Sequence, residues 1–342
     1  MTETVLVPAD QDGLDDFFGD NGWSDGLPIV APTRERVDRF LAAISWPADR
    51  VIGEMPPANG EITVEGLAVN SVMAGCRPEY LPVVIAAVTA MLEPEFNLFA
   101  VQSTTHPASP LIIVNGPVVD QLGMNSRYGA FGPGCRANAT IGRAARLALL
   151  NIGGAAPGVL DRSTQGQSSK YSFCVAENEL ESPWEPLSIE RGFGPEASTV
   201  TVVGAENPHN LNDHGSTTGE GVLATFSGAM NDLGANNAYR GGEPVLAVGP
   251  EHAAILAADG YGKAEIRQHI FDHARIPRAL WNHGGRPEMA PDWFPDEEQV
   301  PIIAEPDSLL VIVLGGFGRH SAWLPTFGEA TRSVTVRIPR SE

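Results

Sequence analysis

The sequence predicts an α/β protein, a mixed sheet flanked by helices, built as two lobes of similar size or as one continuous domain. Three observations predict it. Short β-branched apolar runs recur between segments whose apolar residues follow helical spacing. Three of those runs end alike, in IIVNGP, VLAVGP and VIVLGGFG, and loops beyond strand ends are where α/β sheets commonly build their sites. A fixed repeat of about 20 to 50 residues, the mark of a solenoid, is not visible. A chain of 342 residues, 43% of them apolar, is long enough to bury a sizeable core.

Residues 1–33 read as an acidic, Gly- and Pro-punctuated N-terminal extension that closes on WSDGLPIVAPT. Thr33 is placed to cap a helix, RERVDRFLAAI, with Val37, Phe40, Leu41 and Ile44 on one face. After Pro56-Pro57, residues 62–72 suit a helix or a strand. A buried helix follows from about Pro82 to Leu92. FNLFAVQST and PLIIVNGP then read as strands over 96–103 and 110–115. The bend GAFGPG opens a second central helix, CRANATIGRAARLALLNI, stopped by Gly153-Gly154. KYSFCVAENE reads as a strand running into an acidic turn, and STVTVVGAENP, at 198–208, as a strand. PHNLNDHGSTTGEG reads as a loop. Helices are expected in GVLATFSGAMNDLGA, in PEHAAILAADG up to Gly260 and in YGKAEIRQHIFDHAR, with strands in EPVLAVGP, DSLLVIVLGG and SVTVRI. These elements divide into lobes at 34–196 and 197–342 when the chain is not treated as one domain.

Charge narrows the partners. With 42 acidic and 22 basic residues the net charge is -20, which repels phosphate backbones and anionic lipid and argues against nucleic acid and membrane. The N-terminus has no basic start followed by an apolar run, so a cytoplasmic protein is expected. Three cysteines, Cys76, Cys135 and Cys174, are widely spaced and form no C-x-x-C, which fits free thiols. Cofactor identity is not legible, and no cofactor is required by these residues.

Two segments carry the chemistry. In MAGCRPEYLP, Cys76 precedes a proline-opened helix, where the positive end of the helix dipole would favour a thiolate; the alternative is a small apolar plug. In FGPGCRANATIGRA, a turn meets a helix start whose free N–H groups, with Arg136, Asn138 and Thr140, suit a carboxylate or phosphate. The Lys-Ser/Thr pair of a phosphate-binding P-loop is missing, and so is G-x-G-x-x-G. Arg136 and Arg143 lie seven residues apart on one helical face. Arg136 sits in the first turn, as a direct ligand contact, and Arg143 about 10 Å further on, as a structural partner.

Histidines offer a second chemistry. His209, Asp213 and His214, in the loop after a strand, suit a divalent metal or acid–base work, with His106 or His320 as further ligands. A loop rich in Asn, Asp and His also bonds its own backbone. His320 follows a buried strand, whereas His269 and His273 mark a solvated helix face. Lys170, Glu177 and Asn178 form a charged group that a salt bridge explains as well as catalysis does. Trp23 and Trp184 read as packing anchors.

WSDGLPIVAPTRERV, NSVMAGCRPEYLPVVIAAV, HPASPLIIVNGP, GPGCRANATIGRAARLALLNIGG, KYSFCVAENELESPWEP and GPEHAAILAADGYGKAEI together resemble a bacterial family of this length associated with UGSC (seleno)protein neighbours. The resemblance spans nearly the whole chain. Its signatures MAGCRPEY, HP, NGP, RANATIGRA and AENE fall on Cys76, Arg77, Glu79, His106, Asn115, Asn138, Arg143, Glu177 and Asn178, and Cys135 departs from the pattern. It implies no particular reaction. Because the UGSC group carries a Cys or selenocysteine redox-type motif, it does imply a thiol-dependent reaction shared with a UGSC-type protein partner.

The expectation is an enzyme of hydrolase or lyase type acting on a small anionic substrate through Cys76, with Glu79, His106, His209 and His214 as further catalytic groups. Arg77, Asn115, Arg136, Asn138, Arg143, Lys170, Glu177, Asn178 and His320 would bind the substrate. The alternatives are a metal-dependent hydrolase or lyase using His209, Asp213 and His214, and a non-catalytic subunit or ligand-binding partner of a thiol-dependent enzyme. A homo-oligomer is compatible with all three.

Overall fold

The computed structural model describes residues 4–282, 294–328 and 330–339. Among these residues two four-stranded mixed sheets stack face to face. Their strands are β1 (Ser109–Asn115), β2 (Cys174–Ala176), β3 (Thr199–Ala205), β4 (His209–Asn212), β5 (Val245–Val248), β6 (Leu310–Val313), β7 (His320–Leu324) and β8 (Val334–Arg337). The first sheet runs β8-β3-β1-β2 and the second β6-β5-β7-β4.

The central strands are covered on both faces, which explains why their runs are continuously apolar. In β1, Ile112 and Val114 face helices, and Leu111 and Ile113 face the other sheet. In β5, Leu246 and Val248 face helices while Val245 and Ala247 turn inward; in β6, Val311 and Val313 do the former and Leu310 and Ile312 the latter. On the first sheet's outer side α1 (Gln11–Asp20), α2 (Arg34–Leu41), α3 (Val64–Met73), α4 (Leu81–Leu92), α5 (Leu98–Ser103) and α6 (Arg136–Asn151) share one core, with α4, α5 and α6 on the strands and α2 and α3 packed behind them. The second sheet's outer face packs on α7 (Gly219–Met230), α8 (Pro250–Ala258) and α9 (Lys263–His273). The result is a helix–sheet–sheet–helix stack, the expected α/β class. Among the described residues no single helix is long and apolar enough to cross a membrane. The apolar α4 is buried along almost all its length inside the protein.

The two sheets have one topology. β1 pairs parallel with β2 and antiparallel with β3, which pairs antiparallel with β8. β5 pairs parallel with β6 and antiparallel with β7, which pairs antiparallel with β4. Each half of the chain runs strand, helix, parallel strand, antiparallel strand, and then sends its last strand to the edge of the other sheet. The boundary expected at 196/197 therefore does not separate the sheets, because β3 and β8 belong to the first.

Three local expectations change. Residues 96–103 hold no strand: Phe96 ends a 3-10 turn, Asn97 is left-handed, and Leu98, Val101 and Gln102 of α5 are buried at helical spacing. The polar run at 209–212 is the edge strand β4, where only Leu211 needs burial and solvent receives the rest. The N-terminal segment is no loose extension, since α1 inserts Leu14 and Phe18 into the core. Over 62–72 the helix prevails from Val64 on, after a short strand ending at Thr63, and Thr33 caps α2 as expected, accepting from Arg36 N.

Candidate functional site

Cys76 follows the end of α3. Gly75 adopts a left-handed conformation (φ +83°), and the bonds Cys76 N to Ser71 O and Gly75 N to Val72 O close the helix. This is the pattern in which a glycine just past the last turn satisfies the free carbonyls. The chain then makes a 3-10 turn at Pro78–Tyr80 before entering α4. Cys76 is thus separated from the start of α4, and its own N–H is already bonded. Its thiol donates to Thr140 O, 3.2 Å away on α6. Burial pushes the thiol up to about 12, against smaller opposing effects of that bond and of Arg136 and Arg143. The thiolate expected from the sequence is therefore disfavoured at neutral pH, and Cys76 is a neutral donor in the wall of a cavity.

That cavity, about 300 Å³, is lined by Cys76, Gly75 and Pro78 and by four arginines: Arg36, Arg39, Arg77 and Arg136. Each reaches it for a local reason. Arg36 and Arg39 are three apart on α2, so they share a face. Arg77 leads the 3-10 turn, and Arg136 is the first residue of α6. Arg136 donates from Nε and Nη2 to Gly75 O, at 3.0 and 2.8 Å, which cancels a free carbonyl at the end of α3 and fixes the guanidinium at the rim. Arg36 donates to Ala31 O. Arg77 approaches Glu79 only at 3.9 Å, with both side chains mostly exposed. Among the described residues the Arg39 side chain has no hydrogen-bond or ion-pair partner. No carboxylate side chain among the described residues lines the cavity, so the arrangement concentrates positive charge within an acidic protein.

Cys76, Arg77 and Arg136 of the expected site thus converge, with Glu79 beside Arg77. Arg36 and Arg39 were missed, although their spacing in RERVDRFL was a usable signal. The remaining expected residues lie elsewhere. Arg143 pairs with Asp25 through two 2.8 Å bonds and donates to Leu27 O and Pro28 O, tying the N-terminal segment to α6. It is a structural partner, as its position two turns from Arg136 predicts. Asn138 donates to Asn125 O and accepts from Asn125 N, so it holds a loop and is not directed at an anion. Lys170 is bonded to Asp161 and Ser163 at 2.7 Å. His106 meets Glu206 at 2.7 Å.

Asn115 and Glu177 do meet, between the halves. Asn115 Nδ2 donates to Glu177 Oε2 (2.6 Å) and Glu179 Oε1 (2.8 Å), and Leu187 N donates to Glu177 Oε2. Lys263 Nζ, from α9, lies 3.9 Å from Glu177 Oε1 and 2.8 Å from Glu190. Burial raises the Glu177 carboxyl above its ordinary value, with Lys263, Asn115 and Leu187 pulling the other way. Asn178 Nδ2 donates to Gly315 O across the same seam. This network joins the halves, and of its members Gly315 alone among the described residues reaches one of the cavities described here.

The metal set expected from His209, Asp213 and His214 is not assembled. Burial alone would raise the Asp213 carboxyl, but donation from Ser216, Thr225 and Gly215 brings it down to about 2. Both its oxygens are used by its own loop and α7. His209 sits at the far end of β4, opposite Trp323. Among the described residues no group of three or more His, Cys, Asp or Glu side chains is arranged to hold a metal. His214 and His320 do come together, with Nε2 atoms 3.2 Å apart. His252 is fully buried between Ser321 Oγ and Asp213 O, both within hydrogen-bonding distance, and burial lowers its pKa. No family model and no curated protein matches the chain.

Proposed function

We propose that this chain binds a small anion, bearing carboxylate or phosphate groups, in the arginine pocket beside Cys76. The observation that carries the reading is the convergence of Arg36, Arg39, Arg77 and Arg136 on one cavity of about 300 Å³ in a chain of net charge -20. Guanidinium groups match carboxylate and phosphate geometry and stay charged at every physiological pH. The Cys76 thiol serves as a wall and a neutral donor. Attack by Cys76 in a hydrolase or lyase would need a thiolate that burial disfavours, and a bound anion would disfavour it further. Anion binding needs no such ionisation.

Calorimetric titration with inorganic phosphate and with citrate tests this. Saturable binding is expected, weakening steeply with salt because the pocket is open to solvent. Arg39→Ala and Arg77→Ala remove exposed side chains and should change stability by no more than about 0.5 kcal/mol. Each should weaken binding by about tenfold or more, the value of a charge-assisted hydrogen bond. If neither anion saturates the protein, or the double variant binds as well as the parent, the pocket is not an anion site.

A further inference from the structure

A second cavity, of about 310 Å³, opens between the second sheet and the glycine-rich loop at 129–132. Its floor is Ala247, Leu314 and Ala322, its roof the glycine-rich loop at 129–132, and His320 and Asn210 stand on its wall. His320 of the wall meets His214 just outside it, and among the described residues their geometry is specific. The Nε2 atoms face each other at 3.2 Å, and the rings are near perpendicular with centroids 4.9 Å apart. Two nitrogens bound to one tetrahedral ion at about 2.05 Å lie about 3.3 Å apart.

The tautomer suits the same role. His320 Nδ1 lies 2.9 Å from Asn210 Oδ1, an acceptor only, so Nδ1 carries the proton and Nε2 keeps its lone pair. Ligating histidines are commonly held in this way by a carbonyl or carboxylate on the far nitrogen. The charged groups nearby are engaged elsewhere. Arg319 donates to His214 O and Ser216 O, which fixes the loop carrying His214. Glu251 accepts from Gly318 N, and Asp213 is saturated as described.

We propose that His214 and His320 form a binding site for a divalent transition ion of the zinc, nickel or copper class, at the mouth of this second cavity. No third His, Cys, Asp or Glu completes the set among the described residues, so two or more coordination positions stay open to water or to a ligand entering the cavity. The site is independent of the arginine pocket and does not rest on the anion reading.

Zinc chloride titration of tag-free protein tests it, in a His269→Ala/His273→Ala background that removes the only other close histidine pair among the described residues. One ion per chain is expected. His320→Asn and His214→Gln, at exposed positions, should each abolish the one-site isotherm while the melting curve is retained. Asn210→Ala should weaken binding by about tenfold or more, because it frees the ring that Asn210 orients. Absence of saturable zinc binding in the background protein would overturn the proposal. So would an unchanged isotherm after both histidines are replaced.

Discussion

After β2 in the first sheet come Glu177 and Asn178; after β6 in the second come Leu314 and Gly315. The positions are equivalent, because Val114 pairs with Ala176 just as Val248 pairs with Val313. One residue back, Ile113 of β1 corresponds to Ala247 of β5. Two sheets of one topology therefore finish differently. The first ends in a buried polar network that reaches Lys263 of the other half, and the second ends in small apolar residues beside a cavity. The glycines that close the strands divide within the second sheet as well. A side chain at Gly116 would lie 2.2 Å from Ala197 O and one at Gly249 would lie 2.1 Å from His320 O, whereas one at Gly315 would meet nothing within 4 Å. The first two permit close backbone packing, and only the third borders open space. A repeated fold thus keeps its pairing scheme while the residues just beyond its strands decide where room is left.

Substitutions can break this contrast, beginning with the tie that only the first half possesses. Arg143→Ala leaves Asp25, 5% exposed, without its partner, and should cost about 3 to 5 kcal/mol. The denaturation midpoint measures it, and a loss under about 1 kcal/mol would mean that the N-terminal segment is held by its apolar contacts alone.

Giving the first sheet the second sheet's residue, Glu177→Leu, should cost on the order of 3 kcal/mol. Leu187 N loses its acceptor, while Asn115 and Lys263 keep Glu179 and Glu190. A neutral result would show the network to be dispensable.

Glu177→Gln is subtler and tests protonation. The folded carboxyl sits above its ordinary value of 4.5, so the folded state holds a proton that the unfolded chain has released. Stability from this group is complete below the ordinary value and is lost as pH rises through the raised one. The stability of the variant relative to the parent should therefore grow with pH from about 4.5 upward. A difference that stays flat with pH would mean that Glu177 ionises normally against Lys263.

The smallest effect is expected from Ala247→Ile, which places the first sheet's side chain in the second. With about 310 Å³ of cavity beside it, stability should change by about 1 kcal/mol or less. A much larger loss would show Ala247 to be tightly packed.

Much of the stack was legible from local pattern. Runs such as SPLIIVN and EPVLAVGP carry apolar residues on both faces, which predicts strands buried on both sides. Thr33, Gly154 and Gly260 mark helix ends through backbone chemistry confined to a few residues. Arg136 and Arg143 declared different roles because seven residues make two helical turns. Where a local pattern was misread, a neighbour outweighed it: 98–103 took helical spacing against the core, and the polar 209–212 became a strand because β7 offered an edge.

The candidate site was only half legible, and the missing half is long-range. Arg36 and Arg39 become pocket residues only when α2 comes to lie beside Gly75 and α6. Cys76 looked like an activated thiol beside a helix start, but Thr140, 64 residues away, and the surrounding core set its proton affinity. His214 and His320 are 106 residues apart and meet because β4 leaves its own half to pair with β7. Periodicity, capping and spacing act over one or two turns of chain and can be read along it. Burial, charge convergence and strand exchange are sums over segments remote in sequence, and they acquire values only when the chain is folded.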